Sequence, residues 1–231
     1  MENNKKHLNT FINTLKPGEV TVVVAPFAHF GVSETNFIRN VALQCGIIEG
    51  KSTAYFPRTS SAFDVMWSIT CALAELDYRK VANGDLDDVE WLKLRDTVRK
   101  LRACNRNLFI GERFTFSLSE VYAKCRELKE KNGLDFIILE RLFLNMVDNP
   151  RAQDVSEVLR TLRTLQNIAT ELQVSLLITL PCNRAENLVC EQYLPLDNYS
   201  IVEAHSSHSR SLEQLRSSCG TWRACAHVPS S

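Results

Sequence analysis

Residues 20–42, VTVVVAPFAHFGVSETNFIRNVA, hold the set of residues whose types and order best suit chemistry. Val20, Val22, Val23 and Val24 form a β-branched run bounded by Pro17-Gly18 and Pro26, which reads as a buried strand. A loop and the opening of a helix follow. In α/β folds such a loop presents backbone N–H groups and a helix N-terminus to a phosphate, and a lysine reaches the outer phosphates. Here no lysine occurs between Lys16 and Lys51, and the permanently charged basic side chain in that interval is Arg39, well inside the helix. The stretch reads as a phosphate-binding scaffold without its cation.

Other candidates carry weaker chemistry. Glu140 follows an apolar strand and has the place of an acid or base. Cys182, Cys190, His205 and His208 are the zinc-ligand types, but their spacing matches no common zinc module and they read as ordinary loop residues. No local signature marks a Cys/His nucleophile. Neither a catalytic residue nor a metal site is assigned. Phe27, His29 and Phe30 are candidates to line a pocket for an unrelated ligand. Arg95, Arg99, Arg102 and Arg106 fall at i, i+4, i+7 and i+11, one helix face, with Lys100 beside them. With Asp96 among them and no interleaved aromatics, that face reads as solvated surface, with DNA contact as the rival reading. Between Arg184 and Arg210 stand Glu186, Glu191, Asp197 and Glu203, which repel phosphate.

These residues need elements to position them. Leu8, Phe11, Ile12 and Leu15 at i, i+3, i+4 and i+7 predict a short amphipathic helix over 5–15. After the first strand, Phe37, Ile38, Val41, Ala42 and Cys45 carry a helix to about Gly46. Ser52–Phe56 is the second strand. Ala62–Leu76 is a helix through Phe63, Met66, Trp67, Thr70 and Leu73, and Asn83-Gly84 closes that region. Asp87 and Glu90 form a capping box ahead of Trp91, Leu94, Val98 and Leu101. Asn107–Ile110 is a short strand, Ser117–Asn132 a helix stopped by Gly133, and Leu134–Leu139 a further, strongly apolar strand. Val155 to Leu172 is one long helix and Val174–Leu180 the last strand of the series. Five strands separated by helices imply right-handed crossovers and a mainly parallel sheet covered on both faces. Beyond Pro181 no strand is legible.

At 231 residues with 45% hydrophobic composition, one substantial core is expected. Lys plus Arg and Asp plus Glu both number 27, so no global charge attracts nucleic acid or an anionic membrane. The eight cysteines follow no C-x-x-C spacing and read as reduced, mostly buried thiols. No apolar run approaches the ~20 residues that span a bilayer. A cytoplasmic protein without membrane contact is the expectation.

In order of elements and in several local strings the chain resembles the C-terminal, RecA-like motor domain of DnaB-type replicative helicases. Ala28–Phe37 (AHFGVSETNF) lies on that family's phosphate loop, A-R-P-S-M-G-K-T-x-F. In that register Ser33 stands for the loop glycine, Glu34 for the lysine, and Thr35 is the retained magnesium-binding hydroxyl. Thr53–Phe56 matches the second strand, and the family's water-polarising glutamate falls on Thr59. Gly84-Asp85-Leu86-Asp87-Asp88 with Trp91 and Leu94 matches a signature without catalytic role. Residues 120–144 resemble the helix and Walker B strand, with Glu140 in the place of the magnesium-holding aspartate. Pro181 stands where a glutamine would sense the γ-phosphate.

The resemblance covers roughly residues 8–190 and implies an α/β, RecA-like P-loop NTPase fold. Residues 1–190 are then one DnaB-like domain, and 191–231 belong to it or form a tail. Two charges about 4 Å apart interact by roughly 4 kcal/mol at an effective dielectric of about 20, so glutamate for lysine reverses a large favourable contact with phosphate. Ser33 removes the glycine that admits close backbone approach. The resemblance thus implies a degenerate domain without cofactor and without ATPase activity. It would act as a binding or regulatory module linked to DNA replication, docked on helicase subunits or on copies of itself. In the alternative reading the chain is an ATP-dependent DNA helicase subunit with a divergent phosphate loop, using ATP and magnesium. Ser33 and Glu34 have a plain structural role as well, capping a helix at Thr35, because a carboxylate suits a helix N-terminus.

Overall fold

The computed structural model describes residues 8–26, 32–58, 60–104, 107–112, 117–140, 155–182, 200–203 and 224–225. Its centre is a sheet whose strands are β1 (Val20–Pro26), β2 (Thr53–Phe56), β3 (Leu108–Ile110), β4 (Phe136–Leu139), β5 (Ser175–Cys182), β6 (Ser200–Glu203) and β7 (Ala224–Cys225). They lie in the order β3-β2-β4-β5-β1-β6-β7. All neighbours are parallel except the β6–β7 pair at one edge. The mainly parallel sheet read from the sequence is therefore present. The absence of strands beyond Pro181 is corrected: Ile201 pairs with Val22, and β6 continues the sheet beside β1. Four residues, Ser200–Glu203, carry too short an apolar signal to separate from a loop.

The strands alternate between two cores, as the two-residue side-chain period requires. On one face Val20, Val22, Ala54, Phe56, Ile137, Leu139, Leu176 and Ile178 meet α6 (Leu118–Asn132) and α7 (Val155–Leu172), which contribute Val121, Cys125, Leu162, Leu165 and Ala169. On the other, Val23, Tyr55, Phe136, Ile138 and Leu177 meet Ile12 of α1 (residues 8–12), Ile38 and Val41 of α2 (Val32–Ala42), and Val65 and Ile69 of α3 (Ala62–Ala74). Each such large side chain contributes about 1.5–3 kcal/mol by leaving water. Cys45, Cys71 and Cys125 are free, buried thiols, and burial pushes Cys45 and Cys125 up to about 12.

Helix ends follow their sequence signals. Ser117 and Glu120 satisfy each other's backbone N–H at the start of α6, and Gly133 ends it in the left-handed region. Asp87 and Glu90 do the same ahead of α5 (Asp88–Cys104). Two boundaries differ from the periodicity. The helix read over 62–76 stops at Ala74, with Glu75 at φ 56°, and Asp77 caps a separate short helix α4, Tyr78–Asn83. Beyond α2 the chain widens into a π-helical turn, Leu43–Ile48. There a Cβ on Gly46 would lie 3.0 Å from Leu108 Cβ, so the turn and β3 approach closely at a residue without a side chain.

Candidate functional site

Parallel strands bring their C-terminal ends to one edge of the sheet, and α2, the residues after β2 and the residue after β4 all emerge there. In such folds this edge is where ligands bind. Phe56 pairs with Leu139, so the residues just beyond these two strands, up to Arg58 and Glu140, are neighbours. The Glu140 N–H donates to the Phe56 carbonyl at 3.1 Å, which fixes the backbone from which the carboxylate projects.

Glu140 is 1% exposed. Thr35 Oγ1 donates to Glu140 Oε1 at 3.3 Å, and Tyr55 OH donates to Glu140 Oε2 at 2.9 Å. The Arg58 N–H reaches Oε2 at 3.4 Å. Burial, the Glu140 charge and the hydrogen bond to it hold the Tyr55 phenol well above its ordinary range, so it stays a neutral donor. Arg39 acts on Tyr55 in the opposite sense, and its Nη2 donates to Ser60 Oγ at 2.7 Å. Thr35, Glu140, Tyr55, Arg39 and Ser60 thus form a polar network under the first turns of α2. A buried carboxylate without such donors would cost several kcal/mol, and here they are supplied by the protein itself.

Of the positions singled out from the sequence, Thr35 and Glu140 are brought together. Ser33 and Glu34 lie in the first turn of α2, which begins at Val32; the helix therefore starts three residues earlier than a cap at Thr35 would require. Pro181 lies within β5, opposite Ala25. Its missing N–H is harmless for a reason of parity. The Ser175 N–H points to Asp135 on the β4 side and the Leu176 N–H to Glu19 on the β1 side, so position 181 faces the β4 side. The β4 pairing has already ended at Ile178. Thr59, Phe27, His29, Phe30, Arg106, Cys190, His205 and His208 lie outside the described residues. Arg95 and Arg99 are exposed on α5 and both approach Asp96, at 3.7 and 3.6 Å. No group of three metal-ligand types occurs among the described residues, and none of their helices is long and apolar enough to cross a membrane.

Tyr55 and Ser60 are not legible as site residues in the sequence. Tyr55 reads as one more large residue of an apolar strand; the signal is its hydroxyl, which needs a partner when the ring is fully buried. Magnesium takes oxygen donors in octahedral array. The Thr35 hydroxyl and the Glu140 carboxylate are donors of that kind, so they fit such an ion, although both Glu140 oxygens already accept hydrogen bonds.

Comparison with known proteins places this geometry in context. The sequence model of the DnaB-like helicase C terminal domain matches residues 1–189. Over 158 residues the chain is 32% identical to the replicative DNA helicase DnaC of Bacillus subtilis (strain 168), covering 66% of this chain and 33% of that protein. The replicative DNA helicase DnaB of Geobacillus stearothermophilus is 28% identical over 168 residues, 71% of this chain and 36% of that protein. A DnaB-like replicative helicase, solved in a study of its interactions with primase, superposes with a TM-score of 0.66 at 15% identity, covering 84% of this chain and 48% of that one. The fold is therefore that of RecA-like helicase ATPase domains. The chain spans about a third of the length of the curated relatives it matches.

Proposed function

Because the chain belongs to the DnaB-like helicase C-terminal domain family, we propose that it serves DNA replication as a non-hydrolysing member of that family, docking on helicase subunits or on copies of itself. The observation that carries the reading is the enclosure of Glu140. Its two oxygens accept from Thr35 and Tyr55 while Arg39 lies beside Tyr55, so the protein itself supplies hydrogen-bond donors to this carboxylate. The sequence adds Glu34 in place of the phosphate-binding lysine. A carboxylate at that position repels a triphosphate where a lysine would attract it.

Docking finds support in where apolar side chains remain exposed. Of the six large ones exposed among the described residues, five belong to α3, α4 and α5: Phe63, Tyr78, Val89, Trp91 and Leu92. Phe63 is 72% exposed and stacks on Trp67 with ring centroids 6.0 Å apart. Exposed aromatic side chains are enriched at protein–protein contacts.

The second reading, an ATP-dependent helicase subunit with a divergent loop, is favoured by the Thr35–Glu140 contact. In it those two residues would hold magnesium, whose charge would offset that of the phosphates. Mixing the purified chain with an active DnaB-type helicase separates the readings. Light scattering is expected to find mixed oligomers, and DNA-stimulated ATP hydrolysis by the helicase is expected to fall as the chain is added. Two separate species with undiminished hydrolysis would contradict the docking role.

A further inference from the structure

The outer face of α5 carries opposite charges toward its two ends. Asp88, Leu92, Arg95, Arg99 and Arg102 follow one another at spacings of four, three, four and three, so they lie on a single stripe of that helix. All five are exposed. Leu94, Thr97 and Leu101 are buried on the opposite side, where Leu94 joins Cys71 of α3 and Val81 of α4. The stripe therefore faces away from the core that anchors the helix.

Along that stripe the residue order is self-complementary. A second α5 laid antiparallel, with a two-fold axis midway between Leu92 and Arg95, places Asp88 opposite the second copy's Arg99 and Leu92 opposite its Arg95. By symmetry each contact is made twice. The aliphatic stem of Arg95 then covers Leu92 of the other copy, which is 49% exposed in the single chain. Parallel placement would set Asp88 on Asp88 and Arg99 on Arg99, a juxtaposition that like charges oppose. Arg95 and Arg99 approach Asp96 of their own helix at 3.7 and 3.6 Å, exposed contacts of a kind that contribute little. Among the described residues no salt bridge engages Asp88 or Arg102.

We infer that α5 is a self-association surface, through which two copies of this chain meet as antiparallel helices, with paired Asp88–Arg99 contacts on either side of a Leu92–Arg95 centre. The inference rests on the docking reading for taking a protein as the occupant, and it commits this face to a second copy.

The test is sedimentation equilibrium of the full chain under reducing conditions. A reversible dimer is expected at low ionic strength, weakened at least about tenfold at ~0.5 M salt, where exposed charges are screened. Asp88→Arg and Arg99→Asp each set like charges against one another twice, and each variant alone is expected to be monomeric. Mixed, the two are expected to form a heterodimer, because every charge then meets its opposite again. A wild-type monomer, single variants that dimerise as well as the parent, or variants that stay apart on mixing although their circular dichroism matches the parent would overturn the inference. A monomer that still lowers helicase hydrolysis would remove this contact and keep the docking reading, whereas the charge-swapped heterodimer without any effect on the helicase would do the reverse.

Discussion

Thr35 and Glu140, 105 positions apart, meet as hydroxyl donor and carboxylate acceptor with Thr35 Oγ1 3.3 Å from Glu140 Oε1. The contact ties the first turn of the helix that follows β1 to the end of β4, across the intervening β5. Tyr55 closes the other side of the same carboxylate.

Tyr55→Phe should therefore be costly. It removes a donor from a buried carboxylate and leaves the charge in place, for an expected loss of about 1.5–3 kcal/mol. Tyr122 offers the contrast, since its hydroxyl also donates to a glutamate, Glu171, but at an exposed site. Tyr122→Phe should stay within about 0.5 kcal/mol of the parent. Urea unfolding of both variants at matched slope measures the difference. Equal effects would mean that the Glu140 network contributes nothing beyond a surface contact.

Gly46→Ala tests the close approach of the π-helical turn to β3. The new Cβ would lie 3.0 Å from Leu108 Cβ, an atom that cannot swing aside. Overpacking of this kind costs about 1–3 kcal/mol. A neutral or stabilising result in thermal unfolding would show that the turn has room to relax.

The two-core sheet is legible because its signal is repeated: short apolar runs such as Val20–Val24, between Pro17-Gly18 and Pro26, and Leu134–Leu139, behind Gly133, read as strands by themselves. Gly133 and the Asp87–Glu90 box mark helix boundaries for the same local reason. What escapes is set by tertiary contact. The π-turn continues an apolar period that reads as α-helix, and β6 exists because β1 offers an open edge. At the site, Thr35 and Glu140 stand out through resemblance to a known loop and strand, whereas Tyr55, Arg58 and Ser60 join through fold geometry that no spacing in the sequence displays.

Cys45 and Cys125 give a prediction in pH. Both thiols are raised to about 12 by burial, from an ordinary 9.0. The folded state thus holds protons that the unfolded state releases, so their contribution is full below about pH 9 and declines as pH rises from 9 toward 12. Stability measured by urea should fall across that interval, less steeply in Cys125→Ser. At pH 8 both thiols should resist alkylation until denaturant is added; rapid labelling of the native chain would contradict their burial.

The exposed apolar side chains of α3 and α5 bear on partner binding. Trp91→Ala combined with Phe63→Ser should weaken association with a DnaB-type helicase subunit by at least tenfold while leaving the unfolding midpoint nearly unchanged, since both side chains are exposed. Sedimentation of labelled chain against helicase measures it. Unaltered association would move the docking face elsewhere.

The central claim, that this edge of the sheet no longer serves a nucleotide, is tested most directly by calorimetric titration with ATP and a non-hydrolysable analogue, with and without magnesium. The account predicts no binding tighter than about 100 μM, roughly 5.5 kcal/mol, in either condition. Tighter, magnesium-dependent binding that is lost in Thr35→Ala would contradict it and establish the Thr35–Glu140 pair as a working nucleotide site.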